Sequence, residues 1–352
     1  MASDPQVDLI FAHSIPRYIA TGVDPNDMQR LVSQIDRWDD WCRIWSDEAK
    51  RHEDLAREAT ANNRKLTAAE AWLRASINYH YGKHLFGAKP AEYQAAQTNM
   101  LRCYASAAAG IEPTMERIAI PFGQHQLHAY LRRPSDLTRP PVAVILPGLD
   151  AAKEELHSWS DSFVHRGLAT LTLDGPGQGE CADSQPITPE WGKVLSAVID
   201  VLERRSDVDA TRVGVVGQSL GALYAPLSAA LEPRIKACVA NCGPFNFGPV
   251  LPHMPEVSQD LFRIRAHLRT REEALAYAHK LSLESVAEQI KCPLLIVFGA
   301  RDKIIPASEG DRLARAVTGP VDLVVYEEGN HVCFNIPYKF RPLTADWMVE
   351  HL

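Results

Sequence analysis

From Asp24 onward, Met28, Leu31, Val32, Ile35, Trp38, Cys42 and Trp45 recur at spacings of three and four, the signature of one apolar helix face. Asp24-Pro25 predicts the start of that helix, with a capping side chain followed by a proline in the first turn. Thr67-Ala-Ala-Glu70 reads as a capping box and predicts a second helix through Trp72, Ala75 and Tyr79 towards Gly87. Pro90 opens a third, carrying Tyr93, Met100, Leu101 and Tyr104 to a stop at Gly110. Nothing in this stretch alternates like a strand, and no fixed repeat runs through it. Residues 1–112 are therefore expected to form an all-helical domain.

The pattern changes at Pro113. Arg117 to Phe122 and Leu127 to Arg133 predict two strands around a turn at Gly123. Short runs then alternate with helical stretches: Val142 to Leu146, Ala169 to Leu173, Val213 to Val216, Ile235 to Ala240, Leu294 to Phe298 and Leu323 to Tyr326. These are nearly all apolar, as strands covered on both faces must be. Residues 113–352 thus read as an α/β domain, a mostly parallel central sheet flanked by helices. The segment from about 243 to 288 holds no strand candidate and reads as a lid-like insertion over the carboxyl edge of the sheet, where open α/β sheets carry their active sites.

Composition narrows the function class. The 352 residues are 46% hydrophobic and 23% charged, with a formal net charge of -7, which disfavours nucleic acid and anionic membrane as partners. No run of about 18 apolar residues is present, and the start lacks the basic and apolar segments of a signal peptide, so a cytoplasmic protein without a membrane partner is expected. Seven scattered cysteines, an odd number, suit a reducing compartment. Cys238 and Cys242 lack a second ligand pair, so no metal is expected.

The candidate chemistry lies at strand ends. Gly217-Gln-Ser219-Leu-Gly221 is a G-x-S-x-G placed between a buried strand and a helical run, where a nucleophile needs glycines on either side to fit a sharp turn. A hydroxyl needs a base, and the base needs a third group to hold its tautomer. Asp302 follows the strand Leu294 to Phe298, and His331 follows the next strand. The order Ser, Asp, His is that of the α/β-hydrolase fold. The backbone amides of Leu220 and of Leu149, in the loop Pro147-Gly-Leu-Asp150, are the candidate oxyanion donors. Asp174-Gly-Pro-Gly-Gln-Gly-Glu180 has neither a P-loop lysine nor the longer dinucleotide fingerprint, so it predicts a tight turn lining the site and no cofactor. Candidate substrate contacts are Glu180, the pair Glu154 and Glu155 at an expected helix N-terminus, Phe245 with Phe247 and His253, and Tyr79, His80, Tyr81 and His84 of the helical module.

These motifs together resemble the α/β-hydrolases with an N-terminal helical cap, the helical-cap serine hydrolases related to 2,6-dihydroxypseudooxynicotine hydrolase. The resemblance runs from the helical module through Pro147 to Glu155, Asp174 to Glu180 and Gly217 to Gly221, and on to Asp302 and His331. Pro147 departs from it, standing where a second glycine is expected. The resemblance implies a small-molecule substrate, a homodimer, and cleavage of a carbon-carbon bond next to a ketone in an aryl or polyketide-like compound through an acyl-enzyme. A carboxylesterase, or an amide or carbamate hydrolase, would use the same groups, as would acyl transfer to an alcohol. A non-catalytic ligand-binding protein on this frame is the alternative from another class, and an intact Ser, His and Asp set argues against it.

Overall fold

The computed structural model describes residues 4–86 and 89–352. The chain divides into two compact units, Met1–Glu116 and Arg117–Leu352. The first is helical: α1 (Pro5–Ala20), α2 (Pro25–Gln34), α3 (Trp41–Ala61), α4 (Lys65–Lys83) and α5 (Pro90–Ala108). Asp24 caps α2 as expected, its carboxylate accepting from the Asn26 N–H at 2.8 Å. The long helix expected from Asp24 to Trp45 is, however, two. Ile35 turns extended and ends α2, and a short 3-10 turn, Trp38–Asp40, leads into α3. Asp4 makes the break affordable: its carboxylate accepts from the Trp38 N–H at 3.1 Å, and its own N–H donates to Asp36 at 2.9 Å. Spacing alone cannot register such a tertiary partner. Val32, assigned to the apolar face, is 43% exposed.

Thr67 does not cap a helix either. The left-handed Asn63 (φ 56°) reverses the chain, and α4 has already begun at Lys65. The stop expected at Gly87 lies outside the described residues. Inside this unit Tyr18, Trp41, Trp45 and Tyr81 pack as tilted and edge-on rings, Tyr18 and Tyr81 with centroids 4.3 Å apart. Among the described residues no helix is long and apolar enough to cross a membrane.

The second unit holds an eight-stranded sheet of β1 (Met115–Phe122), β2 (His125–Arg132), β3 (Pro141–Leu146), β4 (Ala169–Asp174), β5 (Asp209–Gln218), β6 (Ile235–Asn241), β7 (Leu294–Gly299) and β8 (Val321–Tyr326), β1 beginning in the residues that close the first unit. The order is β1-β2-β4-β3-β5-β6-β7-β8. β2 runs antiparallel to β4, and every pairing from β4 across to β8 is parallel. β4 and β7 are buried at every residue, and β3 at all but its first. β8 corrects the expectation of double coverage: it lies at the sheet's edge, with Leu323 and Val325 exposed. Helices α6 (His157–Val164), α7 (Trp191–Glu203), α8 (Gly221–Leu231), α12 (Ser308–Ala316) and α13 (Pro337–His351) connect or follow the strands. The insertion after β6 folds as α9 (Phe247–Val250), α10 (Glu256–Arg265) and α11 (Arg271–Ala278), with a single bridge between Asn246 and Ser282.

One buried imidazole makes this unit sensitive to acid. Burial, with the Arg132 guanidinium nearby, pushes His157 at the start of α6 from its ordinary 6.5 down to about 4. The unfolded chain therefore binds a proton between those values that the folded protein refuses. Stability from this group is complete above pH 6.5 and is lost as pH falls towards 4, by about 3 kcal/mol. His157→Gln should flatten the pH dependence of the urea midpoint over that window, and an unchanged slope would count against the assignment.

Candidate active site

β5 delivers Ser219 to the carboxyl edge of the sheet, and α8 starts two residues later. Ser219 sits at φ 53°, a left-handed conformation that costs a non-glycine residue roughly 1–3 kcal/mol. The turn is too tight for side chains beside it. A Cβ on Gly217 would lie 1.9 Å from the Gly221 carbonyl oxygen, and one on Gly221 would lie 2.5 Å from that of Leu146. The Ser219 N–H donates to the Asn241 carbonyl at 2.9 Å, tying the elbow to β6.

Asp302, after β7, is fully buried at its side chain. Its Oδ1 accepts the backbone N–H groups of Ile304 and Ile305 at 2.8 and 2.9 Å, and its Oδ2 lies 2.7 Å from His331 Nδ1. A carboxylate can only accept, so Nδ1 carries the proton and Nε2 keeps its lone pair. Nε2 lies 3.0 Å from Ser219 Oγ. The loop that bears His331 is strained, with Val332 and Cys333 at φ 59° and 58°. It is held by Asn241 Nδ2, which donates to the Val332 carbonyl at 3.2 Å, and by reciprocal bonds between Asn330 and Asn335.

The loop after β3 packs directly on the serine: a Cβ on Gly148 would meet Ser219 Cβ at 3.1 Å. Leu149 is buried in this loop, and Leu220, at the cap of α8, carries one of the N–H groups that the helix itself leaves unused. A serine with a base and its orienting acid can attack a carbonyl carbon, and backbone amides beside them can hold its oxygen.

Nearly the whole chain has relatives. Residues 21–313 match the family model "Esterase FrsA-like". The 2,6-dihydropseudooxynicotine hydrolase of Paenarthrobacter nicotinovorans is 31% identical over 96% of this chain and 91% of its own. The chain belongs to the FrsA-like esterase family of α/β-hydrolases. The crystal structure of the 2,6-dihydroxy-pseudo-oxynicotine hydrolase superposes with a TM-score of 0.88, covering 96% of this chain and 95% of that one at 31% identity. Hydrolyase poxO of Penicillium oxalicum is 35% identical over 57% of this chain and 51% of its own. The protein is an enzyme of the hydrolase class.

Lys153 and Gln178, inside the motifs Pro147 to Glu155 and Asp174 to Glu180, carry no spacing signal of their own, yet each ties the loops together. Lys153 is fully buried, and its ammonium contacts Asp174 at 2.9 Å, Glu180 at 2.5 Å and Glu154 at 2.6 Å. Burial works against the charge, yet these carboxylates hold Lys153 well above its usual pKa. Burial raises Glu154, while Asp174 is lowered against its own burial by Lys153 and by backbone N–H groups. The three carboxyls converge within 4.8 Å, as around a cation, and the ammonium is that cation. Gln178 is the second: its side-chain amide donates to the carbonyls of Pro147 and Gly148.

The expected substrate contacts fall into three settings. Glu154 and Glu180 contact Lys153, Glu180 also pairing with Arg117 at 2.6 Å, and Glu155 is buried. Neither Glu154 nor Glu155 sits inside a helix N-terminus, because α6 begins only at His157 and a turn precedes it. Phe245 is buried in the insertion, its N–H donating to Glu309 and its ring under the Arg312 guanidinium. In the helical unit, the Tyr79 hydroxyl donates to Glu53 at 3.2 Å, Tyr81 bonds Thr21 at 2.5 Å, His84 lies 3.2 Å from Arg17, and His80 is fully buried.

Proposed function

We propose that the enzyme is a serine hydrolase in which Ser219 is the nucleophile, His331 the general base and acid, and Asp302 the group that orients it. The observation that carries this reading is the continuous chain from Ser219 Oγ to Nε2 at 3.0 Å and from Nδ1 to Asp302 at 2.7 Å. Ser219 Oγ attacks the substrate carbonyl while His331 takes its proton, and the amides of Leu220 and Leu149 hold the resulting oxyanion. Collapse breaks the bond to the leaving group, which receives the proton from His331. Water, deprotonated by the same imidazole, then releases the acyl group from Ser219.

The bond we assign is a carbon-carbon bond next to a ketone in an aryl or polyketide-like substrate. Likeness along nearly the full chain to the 2,6-dihydropseudooxynicotine hydrolase supports it. The departing carbon leaves with the bonding pair and takes the imidazolium proton. The esterase family match favours a second reading, a carboxylesterase, in which an alkoxide leaves instead and every other role is unchanged. Turnover of an aryl diketone and of a p-nitrophenyl ester by the same preparation separates them: rapid ester cleavage with no diketone cleavage would sink the first reading. The resemblance supports reading residues 1–112 as a helical cap domain, and the strand-free sequence of 243–288 supports a lid-like insertion. Seven free cysteines, six of them buried, support a cytoplasmic enzyme, and the resemblance supports a homodimer.

His331→Ala should lower kcat by roughly 10⁵–10⁶, and Asp302→Asn by about 10⁴, since the latter keeps the base but favours the wrong tautomer. Steady-state kinetics on one ester would test the order, and an Asp302 variant as damaged as the histidine variant would contradict it.

A further inference from the structure

We infer that Gln178 is a positioning residue for the oxyanion-binding amides, an inference that rests on the serine mechanism above. Gln178 is 1% exposed and lies in the loop after β4. Its Oε1 accepts the Gly175 N–H at 3.2 Å, and its Nε2 donates to the Pro147 carbonyl at 2.6 Å and the Gly148 carbonyl at 3.3 Å. The orientation of the side-chain amide follows from its partners, because an N–H can only donate and a carbonyl can only accept.

The consequence lies in the planarity of the peptide bond. The Pro147 carbonyl shares its peptide with the Gly148 N–H, and the Gly148 carbonyl shares its peptide with the Leu149 N–H. In a trans peptide the two groups point in opposite directions. By holding both carbonyls, Gln178 turns both N–H groups away from itself in a loop that lies against Ser219. A flip of either peptide would offer a carbonyl oxygen where a negative charge develops. Glycine at 148 removes much of the steric resistance to such a flip, so an external hold is needed.

Gln178 is itself held. Its carbonyl accepts the Cys181 N–H at 2.8 Å, and the Gly177 N–H donates to Gln185 at 2.7 Å. The Lys153 N–H donates to Asp174 Oδ1 at 2.8 Å, tying the far end of the oxyanion loop to the end of β4. The loops after neighbouring strands β3 and β4 are thus joined through Lys153 and through Gln178, and Gln178 is the link beside the nucleophile.

Gln178→Met keeps the length of the side chain and removes the donor, and Gln178→Ala removes both. Each is compared with wild type in kcat and KM on p-nitrophenyl butyrate, in the rate at which a fluorophosphonate labels Ser219, and in affinity for phenylboronic acid, which forms a tetrahedral anion on a serine. The expected result is a fall of about 10–100-fold in kcat and in labelling rate, weaker boronate binding, and a KM within about threefold of wild type. A role in stability alone would lower the melting temperature and leave kcat per labelled serine intact. Wild-type kcat and labelling in either folded variant, or a raised KM with kcat unchanged, would overturn the inference. Failure of wild type to be labelled at all would overturn the serine mechanism beneath it, a separate outcome.

Discussion

Ser219→Ala is expected to lower kcat by roughly 10⁶ while the melting temperature stays within about 2 °C of wild type. In the proposed mechanism the loss is large because Ser219 would form the covalent intermediate, and the remaining histidine and amides could not substitute for that bond. Stability should hardly change: the substitution deletes one hydroxyl whose mapped partner is His331, while the backbone bond from Ser219 N–H to Asn241 persists. Residual catalysis over water would survive through binding and the oxyanion amides. Turnover of a p-nitrophenyl ester, measured beside a fluorophosphonate-labelled wild-type control, decides the matter. A serine variant that retains even a hundredth of the wild-type kcat would mean that another group attacks.

Lys153→Met is expected to act in the opposite way, on the fold before the chemistry. The lysine side chain is fully buried among Asp174, Glu154 and Glu180, the first of which is also fully buried. Removing the buried cation of this cluster leaves carboxylates that must be protonated or reached by water, and the cost of breaking such a set is about 3–5 kcal/mol. Arg117 can compensate only Glu180, from an exposed position. Urea unfolding at neutral pH should show the loss. Because the orphaned carboxyls would then prefer to be neutral, the variant should regain part of the difference as pH falls to about 5. A midpoint equal to wild type would show that water already reaches these carboxyls.

Parallel strands buried on both faces need uninterrupted apolar runs, and the six such runs from Val142 to Tyr326 are all strands of the sheet. The composition of β8 suits burial, but its place at the edge of the order leaves Leu323 and Val325 exposed. Helix boundaries fared worse. Asp24 caps as its local chemistry dictates, whereas the break at Ile35 depends on Asp4, more than thirty residues away. The apparent cap at Thr67 lost to a helix that had already started at Lys65.

The site divides along the same line. Ser219, Asp302 and His331 were legible because each stands just after a strand, and a parallel sheet sends all such ends to one edge. Local pattern along the chain therefore specifies the strands and the side chains that stand at their ends. What steadies these groups comes from contacts between loops. Gln178 and Lys153 act through partners on a neighbouring strand's loop, and Asn241 holds both the Ser219 amide and the Val332 carbonyl. Such contacts have no spacing to betray them, because a hydrogen bond or ion pair depends on distance in space, and chain order constrains that distance only within a single element.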